Sequence, residues 1–242
     1  MNFNNDKIEK TLIHKGYMFF VEGEFNVNIV GVRNSATGKR VTNAFDDWMT
    51  ISYKENGVWK YKEWPCTTDN GAGTARVVEG QYRGSHIIRK HQGKYDAVCQ
   101  DRPIKVYRDY VADGVYDESK IQEGVFGINI HKAGADSVQV NNWSEGCQVF
   151  KREKDFLEFM EICKKAMSLH GNRFTYTLIN SNDIAIKPCG AFMVGTAGAL
   201  QETTAEGTTL TLPYVAAGVP IGLRVVRFWS TNTTATGVVA LY

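Results

Sequence analysis

The chain has 242 residues, of which 43% are hydrophobic and 22% are charged, as is typical of a folded globular protein. The formal net charge of +2 and the lack of a lysine- or arginine-rich run argue against a nucleic-acid partner. No apolar segment is long enough to span a bilayer as a helix, and the first residues lack the apolar core of a signal peptide. We therefore expect neither membrane insertion nor export by a signal peptide.

In chain order, the sequence first predicts a short helix at residues 7–16, which Gly16 ends. Alternating and β-branched segments predict strands at 25–33, 74–82, 94–99, 104–110, 124–134 and 173–179. Residues 49–64 predict a hairpin, because Asn56-Gly57 favours the tight turns that join antiparallel strands. A second helix follows Asp155, where apolar residues recur at helical spacing up to Gly171.

The composition changes near Lys187-Pro188, and only four charged side chains follow, among many threonines, alanines and glycines. Strands are predicted there at 208–215, 222–230 and 237–242. We therefore predict an α+β protein with a β-rich domain and a few helices at residues 1–186, followed by a small all-β domain at 188–242. A domain of that size is only marginally stable alone, so we expect support from the main domain or from other copies in a homo-oligomer.

The five cysteines are odd in number and form no Cys-x-x-Cys pair, which argues against a disulfide framework or a zinc cluster. Asp109, Asp113, Gly114 and Asp117 are spaced somewhat as in a calcium loop, but valine occupies two positions that would need oxygen ligands. We expect no metal and no cofactor. A buried free thiol that packs as a small hydrophobic group is the default interpretation of each cysteine.

The residues around Cys147 favour a reactive thiol at this position. His131 ends the strand predicted in the segment 124–134, and after a polar loop Ser144-Glu145-Gly146-Cys147 leads into another apolar segment. A thiol needs a neighbouring base or cation to ionise near neutral pH, and a preceding glycine lets the backbone turn tightly. Spacing alone also fits a coincidental pair, so both interpretations stay open at this point.

The pattern His-x-x-Gly, followed about a dozen residues later by Ser-x-Gly-Cys, resembles the signature of L,D-transpeptidase (YkuD-type) catalytic domains. The segments GQYRGSH, HQGKYDAV, RPIKVYRD, GVFGINIH, WSEGCQVF and FTYTLI extend the resemblance to phage and prophage relatives over roughly residues 10–180. The resemblance implies a mostly β catalytic domain with a cysteine nucleophile and a histidine base. It also implies peptidoglycan stem peptides as substrates.

Carried over by position, the resemblance makes Cys147 the nucleophile and His131 its base. Ser144 and Gly146 would shape the nucleophile turn, and the amides of Gly146 and Cys147 would bind the oxyanion. The family commonly has a histidine directly before Gly-Cys and an arginine two residues after the cysteine. This chain has Glu145 and a valine at these positions, which indicates that it binds the substrate carboxylate in a different way.

Five further residues are weaker candidates for substrate contacts: His86, His91, Tyr82, Arg83 and Trp143. The resemblance places the first four near the site, and Trp143 lies beside the nucleophile turn. For each of them an ordinary structural role is the alternative: a partly exposed histidine, a surface residue or an aromatic packing group.

The ending STNTTATGVVALY resembles the C-terminal segments of phage virion proteins. Together these features predict a phage-associated hydrolase that cleaves peptide-stem amide bonds during cell wall degradation. We expect it on the virion, acting at the bacterial cell wall, with other virion proteins bound through its C-terminal domain. Two alternatives are a structural virion protein (spike, fibre or capsid decoration) with an inactive or wall-binding domain, and a true L,D-transpeptidase that joins stems.

Overall fold

The computed structural model describes residues 3–37, 41–71, 75–109, 115–185, 189–205 and 207–241. It is β-rich, with two α-helices among the described residues, and confirms the predicted mostly β, α+β class. The chain divides into two compact units: a larger one at Phe20–Asn182, and a smaller one that combines Met1–Phe19 with Asp183–Tyr242. Neither helix in the described ranges has the length and hydrophobicity that a helical membrane span requires.

The elements, in chain order, are α1 (Asn5–His14), β1 (Asn28–Arg33), β2 (Asp47–Glu55), β3 (Val58–Thr67), β4 (Ala75–Val77), β5 (Gly80–His91), β6 (Tyr95–Gln100), β7 (Ile104–Arg108), β8 (Asp117–Gly124), β9 (Ile130–Lys132), β10 (Gln148–Phe150), α2 (Glu153–His170), β11 (Phe174–Asn180), β12 (Ala191–Met193), β13 (Gly198–Thr204), β14 (Thr209–Val215), β15 (Val225–Trp229) and β16 (Val239–Leu241).

Eight strands of the larger unit close into a barrel in the order β1-β11-β5-β6-β9-β10-β3-β2. Two neighbouring pairs, β1 with β11 and β9 with β10, are parallel, and the other pairs are antiparallel. A separate three-stranded sheet is formed by β4, β7 and β8. The pair β9 and β10 positions the candidate site residues, because His131 is the middle residue of β9 and Cys147 directly precedes β10.

Helix α2 packs its apolar stripe against the barrel. Phe156, Phe159 and Cys163 are buried in the main core, where Phe159 meets the ring of Trp64 at 6.1 Å between centroids. Each phenylalanine buried in this way stabilises the fold by about 1.5–3 kcal/mol. The helical spacing in the sequence predicts this face correctly.

The strand predicted at 124–134 is mostly loop, and only Ile130–Lys132 is paired as β9. The side chain of Gln100 accounts for the difference, because its Oε1 accepts the amides of Phe126 and Ile128 at 3.0 and 2.9 Å. These two amides therefore donate to a side chain and not to the backbone of a neighbouring strand. The strand predicted at 74–82 is also divided, between β4 and β5.

The smaller unit contains α1 and the strands β12–β16, arranged as a pair β12-β16 and a three-stranded sheet β14-β13-β15. Its boundary differs from the predicted division at 186/188, because the N-terminal helix belongs to this unit. The guanidinium of Arg227 donates to the carbonyl oxygen of His14 at 2.8 Å and so links the helix end to β15. A contact across such a separation in sequence leaves no local signal in the composition.

Candidate active site

Parallel pairing of β9 and β10 brings His131 and Cys147 to one place. The register sets His131 opposite Val149, and the amide of Gln148 donates to the carbonyl oxygen of Asn129 at 2.9 Å. Cys147, directly before β10, therefore lies beside Asn129, directly before β9. Both Cys147 and His131 line a cleft with a volume of about 850 Å³.

The thiol of Cys147 has two hydrogen-bond partners. Its Sγ accepts the amide N–H of Asn129 at 3.4 Å and donates to the carbonyl oxygen of Gly127 at 3.4 Å. Burial raises the pKa of the Cys147 thiol to about 11, and the amide of Asn129 opposes that increase. The resting group near neutral pH is therefore the thiol and not the thiolate.

His131 has the tautomer that a general base needs. Its Nδ1 lies 2.9 Å from the carbonyl oxygen of Lys132, and because a carbonyl only accepts, Nδ1 carries the proton and Nε2 has the free lone pair. Burial lowers the pKa of His131 to about 4, so the imidazole is neutral. Within the described residues no hydrogen bond joins Sγ to His131, and the thiol proton is directed to the Gly127 carbonyl instead.

A second imidazole supports the first. His91, at the end of β5, lies in the same cleft and stacks on His131 with 4.3 Å between ring centroids and 19° between planes. Burial, and to a smaller extent the charge of Lys94, lowers the pKa of His91. Of the five weaker candidates, His91 is thus the one in direct contact with the proposed base.

Position 146 requires glycine. Gly146 has a φ of +135°, and a Cβ there would lie 2.9 Å from Cδ1 of Ile128 and 3.1 Å from Cβ of Ala75. A positive φ is strained for other residues, and the close contacts add to that cost. The turn before the thiol therefore depends on this glycine.

The oxyanion assignment changes at one of the two predicted amides. The amide of Gly146 donates to Oγ of Ser144 at 3.1 Å, and the same hydroxyl donates to the carbonyl oxygen of Cys147 at 2.8 Å. Ser144 therefore shapes the turn and occupies the Gly146 donor, so this amide is not free to bind an oxyanion in the present arrangement. The amide of Cys147 has no acceptor in the described part of the chain and is the donor that remains.

Two buried glutamine side chains hold the loops of the site, and the sequence analysis misses both. Gln148 donates from Nε2 to the carbonyl oxygen of Gly146 at 3.2 Å and accepts the hydroxyl of Tyr176 at 2.6 Å. Gln100 holds the loop before β9 through Phe126 and Ile128, as described above. Gln148 is a polar residue inside the apolar segment 147–150, and this signal could have identified it, whereas Gln100 ends β6 next to Asp101 and has no such signal.

Trp143 and Glu145 line the same cleft. Trp143 is in a 3-10 turn at Asn141–Trp143 and is 46% exposed, as a cleft wall must be to meet a substrate. Glu145, where the family has a histidine, is exposed and has its carboxylate close enough to raise the pKa of Cys147 slightly.

Three predicted substrate contacts are not among the residues that line the cleft. His86 is fully buried, and its Nδ1 and Nε2 are 2.8 Å from Oγ of Ser85 and 3.1 Å from the carbonyl oxygen of Ile128. The hydroxyl of Tyr82 donates to the carbonyl oxygen of Val78 at 2.6 Å. Arg83 is exposed and, like the other two, does not line the cleft. A structural role replaces the predicted one for His86 and Tyr82.

In the described ranges no group of three histidine, cysteine, aspartate or glutamate side chains is arranged to hold a metal ion. Part of the calcium-like pattern, at Asp113 and Gly114, lies outside the described residues. Comparisons of the chain with models of protein families, with curated proteins and with solved structures find no match.

Proposed function

We propose that the larger unit is a phage-associated cysteine peptidase that cleaves amide bonds in the peptide stems of peptidoglycan. Cys147 is its nucleophile and His131 its base. The observation that carries this proposal is the shared cleft, in which Nε2 of His131 and the amide of Cys147, both without a partner among the described residues, accompany a partly exposed thiol.

The reaction runs through an acyl-enzyme. Nε2 of His131 takes the proton of Sγ as the sulfur attacks the carbonyl carbon, and the amide of Cys147 donates to the oxyanion. The carbon–nitrogen bond then breaks, and the proton passes from His131 to the leaving amine. Water, deprotonated by His131, hydrolyses the thioester and restores the thiol. Because both groups are neutral at rest, the proton moves during the attack and no preformed ion pair is needed.

The charge of the cleft supports an anionic substrate. Lys94, Arg108 and Lys132 line it together with Glu145. Lys132 pairs with Glu153, whereas no acidic partner of Lys94 is found among the described residues. Stem peptides have carboxylate groups, which an ammonium such as that of Lys94 attracts.

The test is digestion of purified peptidoglycan, with the soluble products identified by mass spectrometry. The wild type is expected to release stem fragments, and Cys147→Ala and His131→Ala are expected to release none. Cys189→Ala is the matched control, because this buried thiol lies in the smaller unit. Equal product profiles from the wild type and Cys147→Ala would refute the proposal. Repeating the digestion with an amine acceptor separates hydrolysis from transpeptidation, since only a transpeptidase forms the joined product.

One observation favours a second candidate, a structural virion protein whose domain binds the wall without cleaving it. The thiol is bonded to the Gly127 carbonyl and has a raised pKa, which is the state of an inert cysteine. Under this hypothesis the wild type and Cys147→Ala co-sediment equally with peptidoglycan and neither releases fragments.

For the smaller unit we propose attachment to other virion proteins or self-association. Its part after Pro188 exposes Tyr214 (68%), Val219 (51%) and Val239 (49%) and has only four charged side chains, which suits an assembly interface better than a solvated surface. Light scattering of the full chain tests self-association. A higher mass for the wild type that Tyr214→Ser lowers supports it, and a monomeric wild type contradicts it.

A further inference from the structure

Asn129 connects the nucleophile to the two stacked histidines. Its backbone N–H donates to Sγ of Cys147 at 3.4 Å, and its Nδ2 lies 3.1 Å from Nδ1 of His91. Its Oδ1 accepts the amide of Gln100 at 3.0 Å, and its carbonyl oxygen accepts the amide of Gln148. Every polar group of Asn129 is therefore engaged, and two of them reach the reacting side chains or their immediate support.

These contacts determine the proton position on His91. A backbone N–H only donates, so the amide oxygen of Asn129 must face Gln100 and its NH₂ group must face His91. The NH₂ group also only donates, so Nδ1 of His91 accepts and its proton lies on Nε2. His91 is thus held as a neutral imidazole, and its ring also lies against that of Tyr95, with 5.6 Å between the ring centroids.

The ring of His91, which contacts both Asn129 and Tyr95, limits the movement of His131. The Nδ1 contact with Lys132 fixes one point of the His131 ring but leaves its tilt about that point free. A flat ring at 4.3 Å and 19° blocks such a tilt on one side. The neutral form of His91 does not repel the imidazolium that His131 would become, whereas its protonated form would lower the pKa of His131.

We propose that Asn129 and His91 are positioning residues of this site: Asn129 holds the sulfur through its backbone and, through His91, holds the ring plane of His131. The inference rests on the proposed use of Cys147 and His131 as nucleophile and base. It needs no particular substrate, so it is testable apart from wall cleavage.

The test is the rate at which iodoacetamide alkylates Cys147 between pH 3 and 11, measured by mass spectrometry of its peptide. In the wild type we expect a rate plateau above about pH 4, where His131 is neutral, and its loss in His131→Ala. His91→Ala should lower the plateau roughly 10- to 100-fold, since a misplaced base loses that much. It should also move the acid midpoint up toward 6.5, because the His131 ring becomes solvated. His91→Phe keeps a flat ring and should retain most of the plateau and its midpoint.

Asn129→Asp adds a second, chemical test. Its carboxylate would face Nδ1 of His91 and hold that ring protonated, so the cation should suppress protonation of His131 and lower the plateau. Asn182→Asp, an exposed asparagine, is the control for added charge and should match the wild type. Wild-type behaviour of both His91→Ala and Asn129→Asp would overturn the positioning role, even if the wall is digested.

A measurement on the wild-type protein tests the proposal even if the variants fail to fold. Nitrogen-15 NMR should show His91 with its proton on Nε2 and His131 with its proton on Nδ1. A His91 protonated on Nδ1 would overturn the proposal. The protein could leave peptidoglycan undigested and still show an alkylation plateau that is lost in His131→Ala and lowered in His91→Ala. That result would refute the proposed substrate but support the positioning role of Asn129 and His91.

Discussion

Gly146, directly before Cys147, has a φ of +135° and lies against Ile128 and Ala75. We expect Gly146→Ala to destabilise the chain by about 1–3 kcal/mol, because it adds both a strained φ and a close contact. The Cys147 amide should shift with the turn, so wall cleavage should fall more than stability does. Urea unfolding and product release measure the two effects. Gly57→Ala is the control, since its φ is also positive but no atom lies within 4 Å of the added carbon. Unchanged cleavage in Gly146→Ala would contradict the role of the turn.

Glu202 in β13 predicts a pH-dependent stability of the smaller unit. It is fully buried, and neither carboxylate oxygen has a partner in the described part of the chain. Burial raises its pKa from 4.5 to about 7, so the folded state binds the proton more tightly than the unfolded state. Protonated Glu202 therefore contributes its full share to the free energy of unfolding below about pH 4.5. This contribution, about 1–3 kcal/mol, is lost as the pH rises through about 7.

Glu202→Gln keeps the shape and removes the charge, so it should melt at a similar temperature at pH 5 and at a higher temperature than the wild type at pH 8. Thermal unfolding followed by circular dichroism measures this difference. An identical pH dependence in the two proteins would show that Glu202 keeps its ordinary ionisation.

Residue type and spacing predict the pair His131 and Cys147, but they do not show which of the two histidines His86 and His91 lies in the cleft. The two histidines lie five positions apart in β5, so their side chains point to opposite faces of the strand. His86 meets Tyr176 in the core, and His91 meets His131 in the cleft. The face of β5 that is buried depends on its partner strands, and the sequence alone does not specify them.

At the scale of elements, local turn chemistry predicts the hairpin of β2 and β3 correctly. Asn56 and Gly57 have φ values of 54° and 74°, as a tight hairpin turn requires. In contrast, β8 is exposed along nearly its whole length and shows no alternation, so no pattern predicts it. Strands β9 and β10 have three residues each, too few for periodicity to define their ends.

The loop before β9 depends on Gln100, whose side chain also donates to the carbonyl oxygen of Gly124 at 2.8 Å. Gln100→Leu would leave the buried amide of Ile128 unpaired, at a cost of about 1–3 kcal/mol. We expect faster hydrogen exchange at that amide, a lower urea midpoint and weaker wall cleavage. Gln139→Leu, at an exposed glutamine, should change none of these. A wild-type urea midpoint for Gln100→Leu would contradict the anchoring role.

At the scale of the whole molecule, barrel closure uses contacts that no local pattern encodes. The parallel pair β1 and β11 joins segments at opposite ends of the larger unit, with Val30 opposite Thr177. The mostly β class follows from strand-like segments and abundant turn residues, but strand order requires knowledge of which segments meet. The same limit explains why the sequence assigns α1 to the wrong unit.

The assignment of α1 to the smaller unit leads to a prediction for Arg227. This guanidinium donates to the carbonyl oxygen of His14 and lies 3.8 Å from the ring centroid of Trp229, so it joins the helix end to β15. Arg227→Ala should weaken that link by about 1–2 kcal/mol. Amides of α1 should then exchange roughly tenfold faster, since opening becomes easier by that amount, while amides of the barrel strands keep wild-type protection. Hydrogen–deuterium exchange by mass spectrometry resolves the two sets of peptides. Arg224→Ala, at an exposed arginine of the same unit, controls for the loss of charge. Faster exchange in the barrel with α1 unaffected would place the helix with the larger unit after all.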